Sequence, residues 1–199
     1  MKKKKANLNR KIRKTVNKTI YELLHPKVQI VSTSNGVPTY ASSASAGMDI
    51  RADLWEIKED FLVNAEVVRN QIISDDEHHS VIESIVIHPG GHCLIPTGIY
   101  TSFDDIYEMQ VRPRSGNALK FRITITNSPG TIEGDYKDEW GIIIDNEGSE
   151  DFVIKQGDKV AQVVMALICR PTFEIVETRE QLKGSNRGGG FGSSDVNKT

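Results

Sequence analysis

The sequence predicts an all-β body, a barrel or a sandwich, preceded by one basic amphipathic helix. Three observations carry this. From Val28 to Ile168, short runs rich in β-branched residues follow one another, separated by Gly, Pro, Asn and Asp. Many strands at short spacing are the pattern of barrels and sandwiches. Ahead of them Leu8, Ile12, Val16, Ile20 and Leu24 recur every fourth residue. No period of roughly 20 to 50 residues repeats, which sets a solenoid aside. At 199 residues and 38% hydrophobic composition, the chain suits one globular domain with a modest core.

Taken in order, the every-fourth spacing draws an apolar stripe along a helix whose other faces are basic. His25-Pro26 ends it, because proline disfavours helical backbone in the residue before it. The strand runs then read "VQIVS", "MDIRADL", "SIVIHPGG", "HCLIPTGIYTSF", "EMQVRP", "FRITITN", "WGIIID", "FVIKQGD" and "KVAQVVMALI". Residues 56 to 80 contain "DDEHHS" and little alternation, which reads as an acidic surface loop or a short excursion from the β-body. His78 and His79 are adjacent and would point to opposite faces of a strand, so they make a poor metal pair.

Charge is unevenly placed. Residues 1 to 26 hold nine Lys or Arg against Glu22 alone, leaving 16 basic against 26 acidic residues in the rest of the chain. The body should therefore repel nucleic acid, and only the tail is suited to acidic partners. No apolar run approaches the roughly 18 residues of a membrane span, and the basic start lacks the apolar core of a signal peptide. The expectation is a soluble, cytoplasmic protein. Cys93 and Cys169 are too few for a metal cluster and read as buried thiols.

Several patches have the composition needed to handle a polyphosphate. "RPRSGNALK" offers Arg112, Arg114, Ser115 and Lys120 around Gly116, joining charge and a hydroxyl to a backbone that a ligand can approach. "GDKVAQVV" puts Gln162 inside an apolar strand, where its amide must bond either a ligand or the protein's own backbone. "GTIEGDYKDEWG" carries four carboxylates (Glu133, Asp135, Asp138, Glu139) between β-rich runs. "RGGGFGSS" is either a strap that wraps phosphates and lays Phe191 on a base, or a disordered end.

Together these patches resemble the trimeric dUTPase family (dUTP nucleotide pyrophosphatase), whose five motifs appear in order. "SAGMDIRA" (45 to 52) is similar to the first, "RPRSGNA" (112 to 118) to the second, and "GTIEGDY" (130 to 136) to the third. "GDKVAQVV" (157 to 164) and "RGGGFGSS" (187 to 194) are similar to the fourth and fifth. The resemblance implies a distorted jelly-roll β-barrel of the dUTPase-like, β-clip kind over residues 27–186, with an insertion at 56–82. A tail (1–26) would precede it and a glycine-rich strap (187–199) would follow. It further implies a homotrimer with active sites shared between subunits, and a dUTP diphosphatase reaction giving dUMP and pyrophosphate. That reaction would limit uracil incorporation into DNA and supply dUMP for thymidylate synthesis. Mg2+ would be held chiefly by the triphosphate, meeting the protein through water.

Residue by residue, the resemblance makes Glu133 the base that activates water, standing where the family has aspartate, with Asp135 in reserve. It makes Tyr136 the aromatic under the deoxyribose, which excludes a 2′-hydroxyl by shape. It assigns uracil reading to Asn127 and to the backbone of Thr131, Ile132, Trp140 and Gly141. Arg114, Ser115 and Gly116 would bind phosphate oxygens and Gln162 the α-phosphate side. Asp49 would order metal-bound water and the neighbouring arginine. Arg187, Phe191, Gly192 and Ser193 would close over the nucleotide, although this chain has one residue fewer between Arg and Phe than the family spacing. Asp138 replaces a family glycine, and with Glu139 it reads as solvated. The alternatives are dCTP deaminase, which needs a glutamate where this chain has Ile143, and a non-catalytic binding module of the same fold.

Overall fold

The computed structural model describes the backbone of residues 2–33, 36–74 and 77–184, and the side chains of these except 2–9, 72–74 and 77–79. Helix α1 (Lys2–Leu24) comes first. It stops where His25 N–H bonds Glu22 O and Pro26 follows, as the sequence predicts. Its stripe residues Ile12, Val16, Ile20 and Leu24 are exposed. The strands are β1 (Gln29–Ser32), β2 (Thr39–Tyr40), β3 (Met48–Arg51), β4 (Leu62–Ser74), β5 (Glu77–Pro96), β6 (Ile99–Ser102) and β7 (Tyr107–Arg112). A short helix α2 (Ser115–Phe121) intervenes before β8 (Ile123–Ile125), β9 (Gly130–Glu133), β10 (Gly141–Asn146), β11 (Phe152–Lys155) and β12 (Lys159–Leu167).

Every strand pairing among the described residues is antiparallel. One five-stranded sheet runs β2-β3-β12-β7-β9, the other β11-β5-β10-β8 with β4 also on β5, and β1 pairs with β6. The sheets do not close on themselves, giving the jelly-roll-like fold that the motif order implies. Alternation sorts each strand: β7 buries Tyr107, Met109 and Val111, and β10 buries Ile142, Ile144 and Asn146. Ile85, Ile87, Cys93, Ile95 and Ile144 are fully covered, each isoleucine stabilising the fold by roughly 1.5–3 kcal/mol. Buried Asn146 bonds the carbonyls of Ile87 and Glu150, so it meets the requirement that a buried amide be partnered.

Three expectations need correcting. The segment 56 to 80 is not a loop: from Leu62 onward it pairs with β5 as a long ribbon, from Leu62↔Cys93 to Ser74↔Glu77. Val67 and Val68 beside Arg69-Asn70 gave it strand character that the acidic tip concealed. The side chains of His78 and His79 lie outside the described residues. Helix α2 was not foreseen, since seven residues are too few to show a helical period. Cys93 is buried but Cys169 is exposed. Burial, with the charge of Asp145 second, pushes the Cys93 thiol up to about 12.

The chain divides into two units, residues 1–168 and 169–199. In the second, the described part carries one 3-10 turn, at Arg179–Gln181, and is otherwise irregular. The Gln181 side-chain oxygen accepts the N–H groups of Glu177 and Thr178 there. Phe173 and Ile175 are almost fully exposed.

Candidate active site

One group of candidate residues assembles where β3, β12 and β7 meet. Asp49 sits opposite Gln162, and Gln162 opposite Arg112, so side chains from the first and fourth motifs share a face. Pro113 leads out of β7, and Arg114 is still extended (φ −86, ψ 128) before the chain turns into α2. That bend brings Arg114 back to Asp49, Nε donating to Oδ1 at 3.1 Å. Lys159 Nζ grips the other oxygen at 2.6 Å. Burial alone would raise the Asp49 carboxyl. The hydrogen bond from Lys159 and the charge of Arg114 outweigh it and hold the group below the usual carboxylate value. The Gln162 amide donates to Pro113 O at 2.8 Å. Its Oε1 lies 2.5 Å from where a Cβ on Gly47 would stand, so only glycine leaves the amide its place. Ser115 and Gly116 begin α2 and are exposed beside this group.

A second group surrounds the turn between β9 and β10. Gly130 lies in contact range of the Asn127 amide, which a Cβ there would meet at 3.2 Å. Thr131 and Glu133 face outward, while Gly130 and Ile132 are buried. The chain then turns, Tyr136 N–H bonding Glu133 O at 3.2 Å. Gly134 packs so closely on the carbonyl of Phe103 that no Cβ fits. The turn ends at Trp140, which is 1% exposed and donates from its ring to Thr101 Oγ1 at 3.1 Å. Tyr136, Gly141, Ile143, Leu94, Pro96 and Tyr100 line a cleft of about 520 Å3.

Known proteins can be set against this geometry. The family model described as dUTPase matches residues 78–195. The Caulobacter vibrioides deoxyuridine 5'-triphosphate nucleotidohydrolase is 42% identical over 157 residues, covering 78% of this chain and 99% of the relative. The Anaplasma marginale protein of the same name is 37% identical over 173 residues, covering 84% and 97%. The chain belongs to the dUTPase family. Solved dUTPases agree in fold. A Staphylococcus bacteriophage 80alpha mutant with dUpNHpp has a TM-score of 0.60 at 20% identity, over 84% of this chain and 98% of that one. A mutant of the phage phi11 dUTPase, whose structure concerns a structural Mg(II) ion, has a TM-score of 0.57 at 21% identity, over 77% and 99%.

Within the dUTPase fold the two groups stand well apart. Gln162 pairs with Arg112, but Glu133 pairs with Glu108, which pairs with Ala166. Four residues along the strands and two strand spacings across separate Gln162 from Glu133, about 16 Å. Asp49 is one strand further, about 20 Å from Glu133. The structure therefore brings together Asp49, Arg114, Ser115, Gly116 and Gln162 at one end. Ile132, Glu133, Tyr136 and Gly141 lie round the β9–β10 turn at the other, while Thr131 and Asn127, the latter against Gly130, lie between, Gly130 pairing with Val111 beside Arg112. Arg187, Phe191, Gly192 and Ser193 lie outside the described residues.

Two residues of these groups went unread in the sequence. Lys159 was passed over inside "GDKVAQVV" because three residues before Gln162 on a regular strand it would face the other side of the sheet, and the sequence does not show the irregularity between Lys159 and Ala161 that resets this alternation. Glu139 is not solvated: its carboxylate accepts backbone N–H groups from Thr97 and Gly98, whereas Asp138 is exposed as expected. Nothing local distinguishes those two acids.

Proposed function

We propose that this chain hydrolyses dUTP to dUMP and pyrophosphate as a dUTP diphosphatase, at sites completed between copies of a homotrimer. The observation that carries the reading is the separation just described. A base must stand within hydrogen-bond reach of its water, about 2.6–3.2 Å. The backbone positions of Gln162 and Glu133 in one chain are about 16 Å apart, and the Gln162 amide is turned to Pro113 O, which supports their serving one α-phosphorus from different copies. The phosphate group of one copy facing the hairpin of another satisfies both.

In that site Arg114, Ser115 and Gly116 bind phosphate oxygens by guanidinium, hydroxyl and exposed backbone, and Gln162 binds on the α-phosphate side. Glu133 takes a proton from water as its oxygen bonds the α-phosphorus. The bond from that phosphorus to the bridging oxygen breaks, and pyrophosphate leaves. Tyr136 lies beneath the deoxyribose and leaves no space for a 2′-hydroxyl. Asn127 and the backbone of Thr131, Ile132 and Gly141 read uracil. Arg187, Phe191, Gly192 and Ser193 belong to the strap at 187–199 that closes over the nucleotide, and 27–186 is the barrel domain.

Among the described residues no group of three or more His, Cys, Asp or Glu converges on one point. Asp49 already spends both oxygens on Lys159 and Arg114. That donor set fits Mg2+ arriving on the triphosphate and meeting Asp49 only through water. When bound, the ion supplies charge neutralisation on the phosphates. No helix among the described residues is long and apolar enough to cross a membrane, and we read the enzyme as cytoplasmic. Deamination of dCTP is disfavoured because Ile143, apolar and on the cleft, stands where that chemistry needs a carboxylate.

Pyrophosphate release from dUTP, dTTP, UTP and dCTP with Mg2+ tests the proposal. The wild type should favour dUTP, and Glu133→Gln should lower its kcat about 10³-fold. Equal rates for the two proteins would refute it.

A further inference from the structure

We propose that Glu139 is a positioning residue for base selection, clamping the start of β10 so that the Gly141 backbone is presented at a fixed place in the cleft. The inference rests on the reading that this cleft takes the base. Glu139 Oε1 accepts the N–H of Thr97 at 3.0 Å and of Gly98 at 2.6 Å. Thr97 Oγ1 in turn donates to Trp140 O at 2.7 Å, and Trp140 N–H donates to Ile99 O at 2.8 Å. Four hydrogen bonds thus tie residues 139 and 140 to the turn between β5 and β6, immediately before Gly141 pairs with Pro96.

The clamped turn is itself held on its far side. Asp53 N–H bonds Pro96 O at 2.8 Å and Thr33 N–H bonds Gly98 O at 3.0 Å. Gly98 (φ +64) has no room for a side chain, because Thr33 and Asp53 occupy that space. Glu139 therefore grips a rigid object.

On its opposite edge, among the described residues, β10 is tied to the β8 side from Ile143 onward, where Thr126 N–H bonds Ile143 O at 3.1 Å and Ile144 pairs with Ile125, and Leu94 fills the place of a Cβ on Gly141. Backbone groups that must discriminate O4 from an amine at a base edge need their placement set by something, and the clamp is what sets it. Tyr100 on the same cleft feels the carboxylate: its phenol is held above the ordinary value, by the charge of Glu139 first and then by burial, Asp53, Glu56 and Asp138.

The test compares Glu139→Asp, one methylene too short to keep both N–H groups, with Glu139→Gln, which keeps the acceptor oxygen at its reach. Steady-state constants for dUTP and dCTP are measured alongside thermal unfolding. For Glu139→Asp the expected result is a KM for dUTP about tenfold higher, kcat within about twofold, and a preference for dUTP over dCTP about tenfold lower. Glu139→Gln should stay within about threefold of wild type. An unchanged KM in the Asp variant, a loss confined to kcat, or a Gln variant as impaired as the Asp variant overturns the inference. A wild type inert toward dUTP sinks the proposed function instead, so the two failures are told apart.

Discussion

Asp49 and Glu133 are both carboxylates on the same five-stranded sheet, yet they are held in opposite ways. Asp49 is gripped on each oxygen by a cation from a different element, Lys159 of β12 and Arg114 at the end of β7. Glu133 faces outward at the end of β9, and only its backbone is used, accepting from Tyr136 N–H. The difference fits the roles proposed for the two ends. Neighbouring cations repel one another unless a carboxylate sits between them, so the end proposed to bind phosphate is braced side chain to side chain. The proposed base needs an accessible lone pair and a fixed place, and its hairpin is braced through backbone, by Gly134 on Phe103 and by Trp140 in the core.

That contrast can be broken from either end. After the Glu133→Gln loss given above, the largest effect should come from Arg114→Ala. It removes a proposed phosphate ligand and leaves Asp49 with Lys159 alone, and kcat/KM for dUTP should fall roughly a hundredfold while the melting temperature changes little. Next is Gly134→Ala, which drives a methyl group into the Phe103 carbonyl. The cost appears in stability, about 1–3 kcal/mol in urea unfolding, because backbone cannot move aside as a side chain can. Gly47→Ala gives the reverse pattern. Its Cβ meets the far end of Gln162, which swings away from Pro113, so KM should rise about tenfold with stability nearly unchanged.

The smallest effect lies outside both ends, at the exposed pair His88 and Asp151. The hydrogen bond with Asp151 raises the His88 value above 6.5, desolvation opposing it and the charges of Asp151 and Glu66 adding to it. A raised folded value means the contribution is complete below about pH 6.5 and disappears as pH rises through the folded value. Melting temperatures followed from pH 6 to 8 should show a slight fall that Asp151→Asn removes.

Legibility in the sequence followed the range of the interaction that fixes each feature. Runs of β-branched residues bounded by turn formers, such as Ile142 to Ile144, are local, and the strands were readable from them, whereas the burial of Ile142 and Ile144 but not Ile143 was set by packing. The β4–β5 ribbon was missed because its pairing reaches across a polar tip, where acidic composition outweighed the valines on either side. Asp49, Arg114 and Gln162 were readable as motif residues, whereas Lys159 became visible only once β3 lay beside β12. Asp138 and Glu139 adjoin in one acidic turn, and one is solvated while the other holds the turn at Thr97 and Gly98.

By itself, the sequence determined the β-rich class, the helix that stops at Pro26, the order of the five motifs and hence the family. These rest on local conformational preference and on residue types that are written in the chain. Tertiary structure alone decided which carboxylates are paired, and that Gln162 and Glu133 stand about 16 Å apart along one sheet. The reason is physical: pairing and separation are set by strand register, and register joins residues that are 113 positions apart, as in Asp49 and Gln162, with no local trace of the partner.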